Sequence, residues 1–299
     1  MSGKGNLLGL FIFVGVQTYK QYKWKNAFVL GLLIFVVVQA IRTFRWNHVK
    51  LNFAGKTVFI SGGSSGLGEE MCKQMIRLGA KKIIIAARRV DELERVKRES
   101  GAPEKVQVLQ LDLSQPHDVL EKCTSLFANE KVDILVNNGG ISQRDCFEDL
   151  GFDVCQKMMN VNCLSHIAVI KACLPGMMER KQGKIVNILS GSGIVALPMR
   201  TMYSSSKFAL SGFGKALRAE VKPHGISVIQ TYPDYIRTNI SANAMTGDGT
   251  KFGKLDPNIA KGMACDEAAS QTLKAIQLNI SEFILGGFIM QMAPYLSVS

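Results

Sequence analysis

Six short apolar runs, rich in Val, Ile and Leu, recur between residues 56 and 233, and the gaps between them carry helical spacing. They are "KTVFISGG" (56–63), "KIIIAAR" (82–88), "VQVLQLDL" (106–113), "VDILVNNGG" (132–140), "GKIVNILS" (183–190) and "GISVIQTYP" (225–233). Runs that stay apolar without alternating belong to strands buried on both faces. Between the first two, "EEMCKQMIRLGA" (69–80) sets Met71, Met75, Ile76 and Leu78 at helical spacing and closes on a glycine. "VDELERVKRES" follows the second run as a polar helix. Strands alternating with helices require a parallel sheet covered on both sides. The expected fold is therefore a doubly wound α/β domain over residues 51–299.

Residues 1–50 follow different rules. They hold seven Lys or Arg and no Asp or Glu, so they carry most of the +12 net charge. A nucleic-acid protein spreads its cations over a folded face. Here they flank apolar runs, which points to a lipid bilayer and away from nucleic acid. "AFVLGLLIFVVVQAI" (27–41) lies between Trp24 and Trp46 and between Lys23, Lys25 and Arg42, Arg45. A helix from Trp24 to Trp46 rises roughly 33 Å, enough for a hydrocarbon core of about 30 Å. The earlier stretch "LLGLFIFVGV" (7–16) either spans or lies in the interface. Positive charge balances across the second segment, so it gives no orientation.

Composition adds two limits. With 47% hydrophobic and 20% charged residues, 299 residues suit one large α/β domain plus an attachment. The seven cysteines are odd in number and lack a CxxC, and the four histidines have no metal spacing. Free thiols on a reducing side of a membrane are expected, and no metal centre.

Two local patterns carry chemistry. "SGGSSGLG" (61–68) joins the first strand to the first helix of the domain. Its glycines allow a tight turn and close approach of backbone to a pyrophosphate, and the helix start offers unpaired N–H groups. "MYSSSKFAL" (202–210) sets Tyr203 and Lys207 four residues apart, one turn apart on one helical face. A cation near a phenol favours the phenolate and lowers a pKa that otherwise lies near 10. Lys207 is thus expected to make Tyr203 a usable proton donor and acceptor.

The loop spacing is Gly-x-x-x-Gly-x-Gly, and with the Tyr/Lys pair it resembles the short-chain dehydrogenase/reductase family over nearly all of 52–240. "LDL", "NNGG" (137–140), "VNCLS" and "YSSSK" each match a motif of that family, and Ser190 stands thirteen residues before Tyr203. "ARRVDELERVKRE", "VNNGGISQR" and "MERKQGKIV" are most similar to a membrane-anchored branch of it. The resemblance implies a Rossmann fold and a catalytic set of Asn162, Ser190, Tyr203 and Lys207. Tyr203 would pass the proton and Ser190 would hydrogen-bond the reacting oxygen. Lys207 would also hold the cofactor ribose, and Asn162 would hold a water behind it. The cofactor would touch Gly62, Ser64, Ser65, Gly66, Leu67 and Gly68 in the loop, and Asp112, Leu113, Asn138, Gly139 and Gly140 beyond the next strands. Tyr203, Lys207, Pro233, Ile236 and Thr238 would complete its site.

The end of the second strand selects the cofactor. A carboxylate there would bind the ribose 2′-OH of NAD. This chain has Arg88 and Arg89, and a guanidinium pairs bidentately with a 2′-phosphate, so NADP(H) is expected. Four departures from the family pattern stand out. Ser61 replaces a threonine, Gly139 an alanine, Leu189 a serine before Ser190, and Asp234 a glycine after Pro233. The last puts a carboxylate where phosphates would feel it. The apolar tail "EFILGGFIMQMAPYLSV" (282–298) either covers a lipophilic pocket, dips into the interface, or packs on the sheet.

Together these patterns describe a membrane-anchored NADP(H)-dependent oxidoreductase acting on a lipophilic ketone, aldehyde or alcohol, of steroid, retinoid or lipid type. The rival is a weak or inactive structural subunit of a membrane complex that keeps the same fold. The resemblance implies the endoplasmic reticulum, with the mitochondrial inner membrane as the alternative. It makes a homodimer the expected assembly for an enzyme.

Overall fold

A computed structural model describes residues 5–287, with side chains from residue 26 onward. The chain divides into two compact units, Met1–Lys50 and Leu51–Ser299. The described part of the first is one helix, α1 (Gly5–His48). Within it Asn26–His48 has a mean hydropathy of 2.2 and no buried residues, which makes it a candidate membrane span. The apolar side chains of 7–16 lie outside the described residues.

The second unit is built on seven parallel strands: β1 (Thr57–Ser61), β2 (Lys82–Ala87), β3 (Val106–Gln110), β4 (Ile134–Asn137), β5 (Gly183–Ile188), β6 (Ile226–Pro233) and β7 (Glu282–Leu285). Their order across the sheet is β3-β2-β1-β4-β5-β6-β7. Six were legible as apolar runs; their glycine and polar ends belong to the loops. The seventh pairs Gln230 with Glu282 and Pro233 with Leu285, so the first residues of the tail form the sheet edge. Residues 288–298 of that tail lie outside the described residues.

The helices of this unit are α2 (Gly66–Arg77), α3 (Val90–Glu99), α4 (Pro116–Asn129), α5 (Phe152–Met159), α6 (Ser165–Arg180), α7 (Thr201–Val221), α8 (Pro257–Ala260) and α9 (Cys265–Gln277). Side chains alternate along β1 because the strand period is two. Val58 and Ile60 therefore pack with Met71 and Met75 of α2 and Leu273 of α9. Phe59 points the other way, to Val119 of α4, Val169 of α6 and Leu217 of α7. Phe59 is fully buried, which contributes up to about 3 kcal/mol. The stretch Phe152–Arg180 is also long and apolar, but it is half-buried among these layers as a core element. All seven cysteines are free thiols.

Candidate active site

In this strand order the connections run outward in opposite directions from β1 and β4. That leaves a crevice at the carboxyl ends of the two strands, where ligands of open α/β sheets bind. The crevice opens into a cavity of about 1430 Å³, lined by residues that follow each strand from β1 to β6.

The loop after β1 closes it on one side. Gly62 has φ of +68°, and a Cβ there would lie 2.6 Å from the Gly139 Cα, so only glycine fits. The Ser61 hydroxyl accepts the amides of Asn138 and Gly139 at 3.1 Å each, and Asn138 Nδ2 donates back to the carbonyls of Ser61 and Gly62. The two glycine-bearing loops are thereby locked together. A methyl group at Gly139 would meet Leu113 Cδ1 at 2.4 Å, so Leu113 fills the space of the missing alanine.

Most of the residues singled out in the sequence line this cavity. They are Gly62, Ser64, Ser65, Gly66 and Leu67 after β1, and Arg88 and Arg89 after β2. Asp112 and Leu113 follow β3, and Asn138, Gly139 and Gly140 follow β4. Ser190, Tyr203, Lys207, Pro233, Ile236 and Thr238 complete the list. Two do not line it. Gly68 faces inward, where a Cβ would lie 2.3 Å from the Gly62 carbonyl oxygen; it lets α2 sit against the turn. Asn162 is fully buried in a π-helical turn, Asn160–Leu164, between α5 and α6. Its Oδ1 accepts the Ile141 amide, and its Nδ2 donates to the Ile141 carbonyl and to the Ser206 hydroxyl. Both amide protons are thus used inside the protein, and Asn162 ties the loop after β4 to α7.

The cavity fits a dinucleotide. Its size, its place at the strand-order switch, the glycine cradle and two exposed arginines beyond β2 all match such a group. The first turn of α2 adds N–H groups and a positive dipole end where Gly66 and Leu67 line the wall.

Around Tyr203 the electrostatics differ from the simple expectation. Tyr203 and Lys207 are 6% and 3% exposed. Burial raises the Tyr203 pKa above the ordinary tyrosine value, opposed by a hydrogen bond from Ser190 and by the charge of Arg200. Lys207 does not oppose it. Its ammonium donates to the Ile188 carbonyl at 3.1 Å, and its own pKa falls to about 8 because it is buried. Desolvation disfavours both charged forms and outweighs their attraction in this state. The Ser190 hydroxyl also accepts the Ser192 amide at 3.1 Å, which fixes its direction.

Four features escaped the sequence reading. Arg200 precedes α7 by one residue, and Arg144 follows β4; both line the cavity and share the buried carboxylate of Asp256. His166, fully buried on α6, donates Nε2–H to the Gly139 carbonyl at 2.7 Å, and burial drives its pKa down to about 3. Asp234 does line the cavity, its amide bonded to the Leu285 carbonyl, and burial raises its carboxyl pKa. Arg200 had one weak signal, its place a helical turn before Tyr203; Asp256 and His166 had none.

Comparison with known proteins agrees with this geometry. The model of the short chain dehydrogenase family matches residues 56–248. A dehydrogenase/reductase SDR family protein 7-like of Drosophila melanogaster is 42% identical over 248 residues, covering 81% of this chain and 76% of the relative. Dehydrogenase/reductase SDR family member 7B of Mus musculus is 38% identical, covering 80% and 76%. Among solved structures, a short-chain dehydrogenase from Sphingobium yanoikuyae in complex with NADPH superposes with a TM-score of 0.66 at 26% identity, covering 81% of this chain and 89% of its own.

Proposed function

The chain belongs to the short chain dehydrogenase family, and from that premise we propose that it is a membrane-anchored oxidoreductase that uses NADP(H) to interconvert a lipophilic ketone or aldehyde and its alcohol. One observation carries this reading: Ser190, Tyr203 and Lys207 share a single cavity with the glycine loop. Arg88 and Arg89 favour NADP(H), since their guanidinium groups suit a 2′-phosphate. The NADPH-bound relative supports the same choice.

Gly62 to Leu67 would hold the pyrophosphate, Arg88 and Arg89 the 2′-phosphate, and Thr238 and Ile236 the nicotinamide side. When bound, the reduced nicotinamide supplies a hydride to the carbonyl carbon. Tyr203 gives its hydroxyl proton to the carbonyl oxygen, which completes the alcohol. Ser190 donates a hydrogen bond to that oxygen as negative charge develops. Lys207, with a value near 8, can exchange a proton near neutral pH and so restore the phenol. Asn162 holds the Ile141 backbone and α7 in register behind this group. Ile141, Val195, Leu197, Ile240 and Met245 supply an apolar wall for a lipophilic substrate.

The exposed apolar helix Asn26–His48 supports attachment to a bilayer. The endoplasmic reticulum is the compartment we assign, with the mitochondrial inner membrane as alternative, and a homodimer the assembly. A second reading, a structural subunit of a membrane complex, draws on the Asp234 carboxylate in the cavity wall. NADPH titration of the full-length protein in detergent, followed by consumption assays on a panel of lipophilic ketones, separates the two. Binding with turnover supports the enzyme; binding without turnover on any ketone indicates a nucleotide sensor; absence of binding favours the subunit.

A further inference from the structure

Arg95 does not line the cavity, yet it ties two of the cavity's walls together. It stands on α3, and all five of its N–H groups meet an acceptor. Nη1 and Nη2 donate to the two carboxylate oxygens of Glu69 on α2, at 2.9 Å each. Nε donates to Glu92 Oε2 and Nη1 also to Glu99 Oε2, both at 2.9 Å. Nη2 also donates to the Ser64 carbonyl in the glycine loop at 3.4 Å. Lys73 on α2 donates to Glu69 at 2.7 Å and to Glu99 at 2.9 Å, so the two helices are bridged twice. A lone surface ion pair holds little, but a bidentate fork inside a network holds direction as well as distance. Apolar contact between Leu67 and Met71 of α2 and Leu93 and Val96 of α3 is non-directional and cannot do this.

The tied elements carry different parts of the proposed cofactor. Ser64 belongs to the loop that would take the pyrophosphate, and α3 begins directly after Arg88 and Arg89, which would take the 2′-phosphate. Three carboxylates face two cations in the network, so it offers no surplus positive charge of its own to a phosphate. We propose that Arg95 is a positioning residue for cofactor selection: by forking onto Glu69 and holding the Ser64 carbonyl, it fixes the spacing between the pyrophosphate loop and the guanidinium pair after β2. The inference rests on the NADP(H) reading, and its test does not depend on turnover.

The experiment measures affinities of the full-length protein in detergent for NADPH, NADH and adenosine 2′-monophosphate. Only NADPH needs both phosphate subsites at one spacing. Arg95→Met should weaken NADPH about tenfold and leave the other two within about threefold. The retained NADH affinity reports an intact cleft. Glu69→Gln breaks the same fork from the other side and should also weaken NADPH selectively, which keeps the test alive if Arg95→Met does not fold. The two variants change the local charge in opposite directions, so a purely electrostatic role would make Glu69→Gln bind NADPH more tightly and would overturn the proposal. Added to Arg88→Ala/Arg89→Ala, Arg95→Met should cost NADPH less than about a further twofold, because Arg95 acts through those two residues. A full tenfold further loss there, equal losses for all three ligands, or an unchanged NADPH affinity in Arg95→Met would each overturn it. Equal affinities of the wild-type protein for NADPH and NADH would refute the choice of cofactor itself, and the proposal with it.

Discussion

The Lys207 ammonium lies over the face of the Tyr203 ring, 5.9 Å from its centre, while its hydrogen bond goes to the Ile188 carbonyl. The two groups that share a helical face are thus not a simple ion pair. Each is buried, and each is pushed by desolvation toward its neutral form. A phenol kept protonated beside a lysine that readily loses its proton suits donation to a carbonyl.

Lys207 has a measurable signature in stability. Its folded-state value, near 8, lies below the ordinary lysine value of 10.5. Between those two pH values the unfolded chain binds more protons, so stability rises with pH across the window and is lowest below pH 8. Lys207→Met removes that penalty. Relative to wild type, its stability should be greatest at pH 7 and the advantage should shrink by pH 10, by up to about 3 kcal/mol. Denaturant unfolding at both pH values checks this, and turnover should be lost in the same variant.

Tyr203→Phe should lower turnover by about 10²- to 10⁴-fold while NADPH affinity stays within about threefold, because the change removes only the proton donor. Ser190→Ala should act in the same direction. Single-turnover consumption of NADPH and fluorescence titration separate chemistry from binding.

His166 is neutral in the folded protein, with a value near 3 against the ordinary histidine value of 6.5. A base held low in the fold costs stability as pH falls from 6.5 toward 3. The expected slope is about 1.4 kcal/mol per pH unit. His166→Gln keeps a donor for the Gly139 carbonyl but cannot titrate. Urea midpoints at pH 6.5 and 4.5 should differ less in this variant than in wild type.

Replacing Arg88 and Arg89 by alanine should weaken NADPH far more than NADH, since only NADPH carries the phosphate that two guanidinium groups can pair. Equal losses for both nucleotides would refute the choice of cofactor.

Asp234→Asn removes a carboxylate from the cavity wall. NADPH should bind more tightly by about 1 kcal/mol, the size of a moderately screened charge repulsion. Calorimetric titration of NADPH into both proteins checks this.

Much of the architecture was written locally. The runs around Val58, Ile84 and Val186 stay apolar because both faces of the sheet are covered, and the loop at Gly62 is constrained by its own backbone angle. What escaped notice was either short or distant. β7 has four residues, and its role as an edge depends on pairing with β6. Gly68 belonged to a motif, but its inward direction depends on Asn138 across the sheet.

By itself the sequence determined the strand–helix alternation, the glycine turn and the one-turn spacing of Tyr203 and Lys207, all consequences of short-range periodicity and backbone sterics. Only the tertiary structure decided which charges act on Tyr203. Asp256 lies 112 residues from Arg144 and 56 from Arg200, and no local pattern brings them together. Burial also changes the ranking of electrostatic effects, because the cost of taking a charge out of water is a property of the folded interior and not of spacing along the chain.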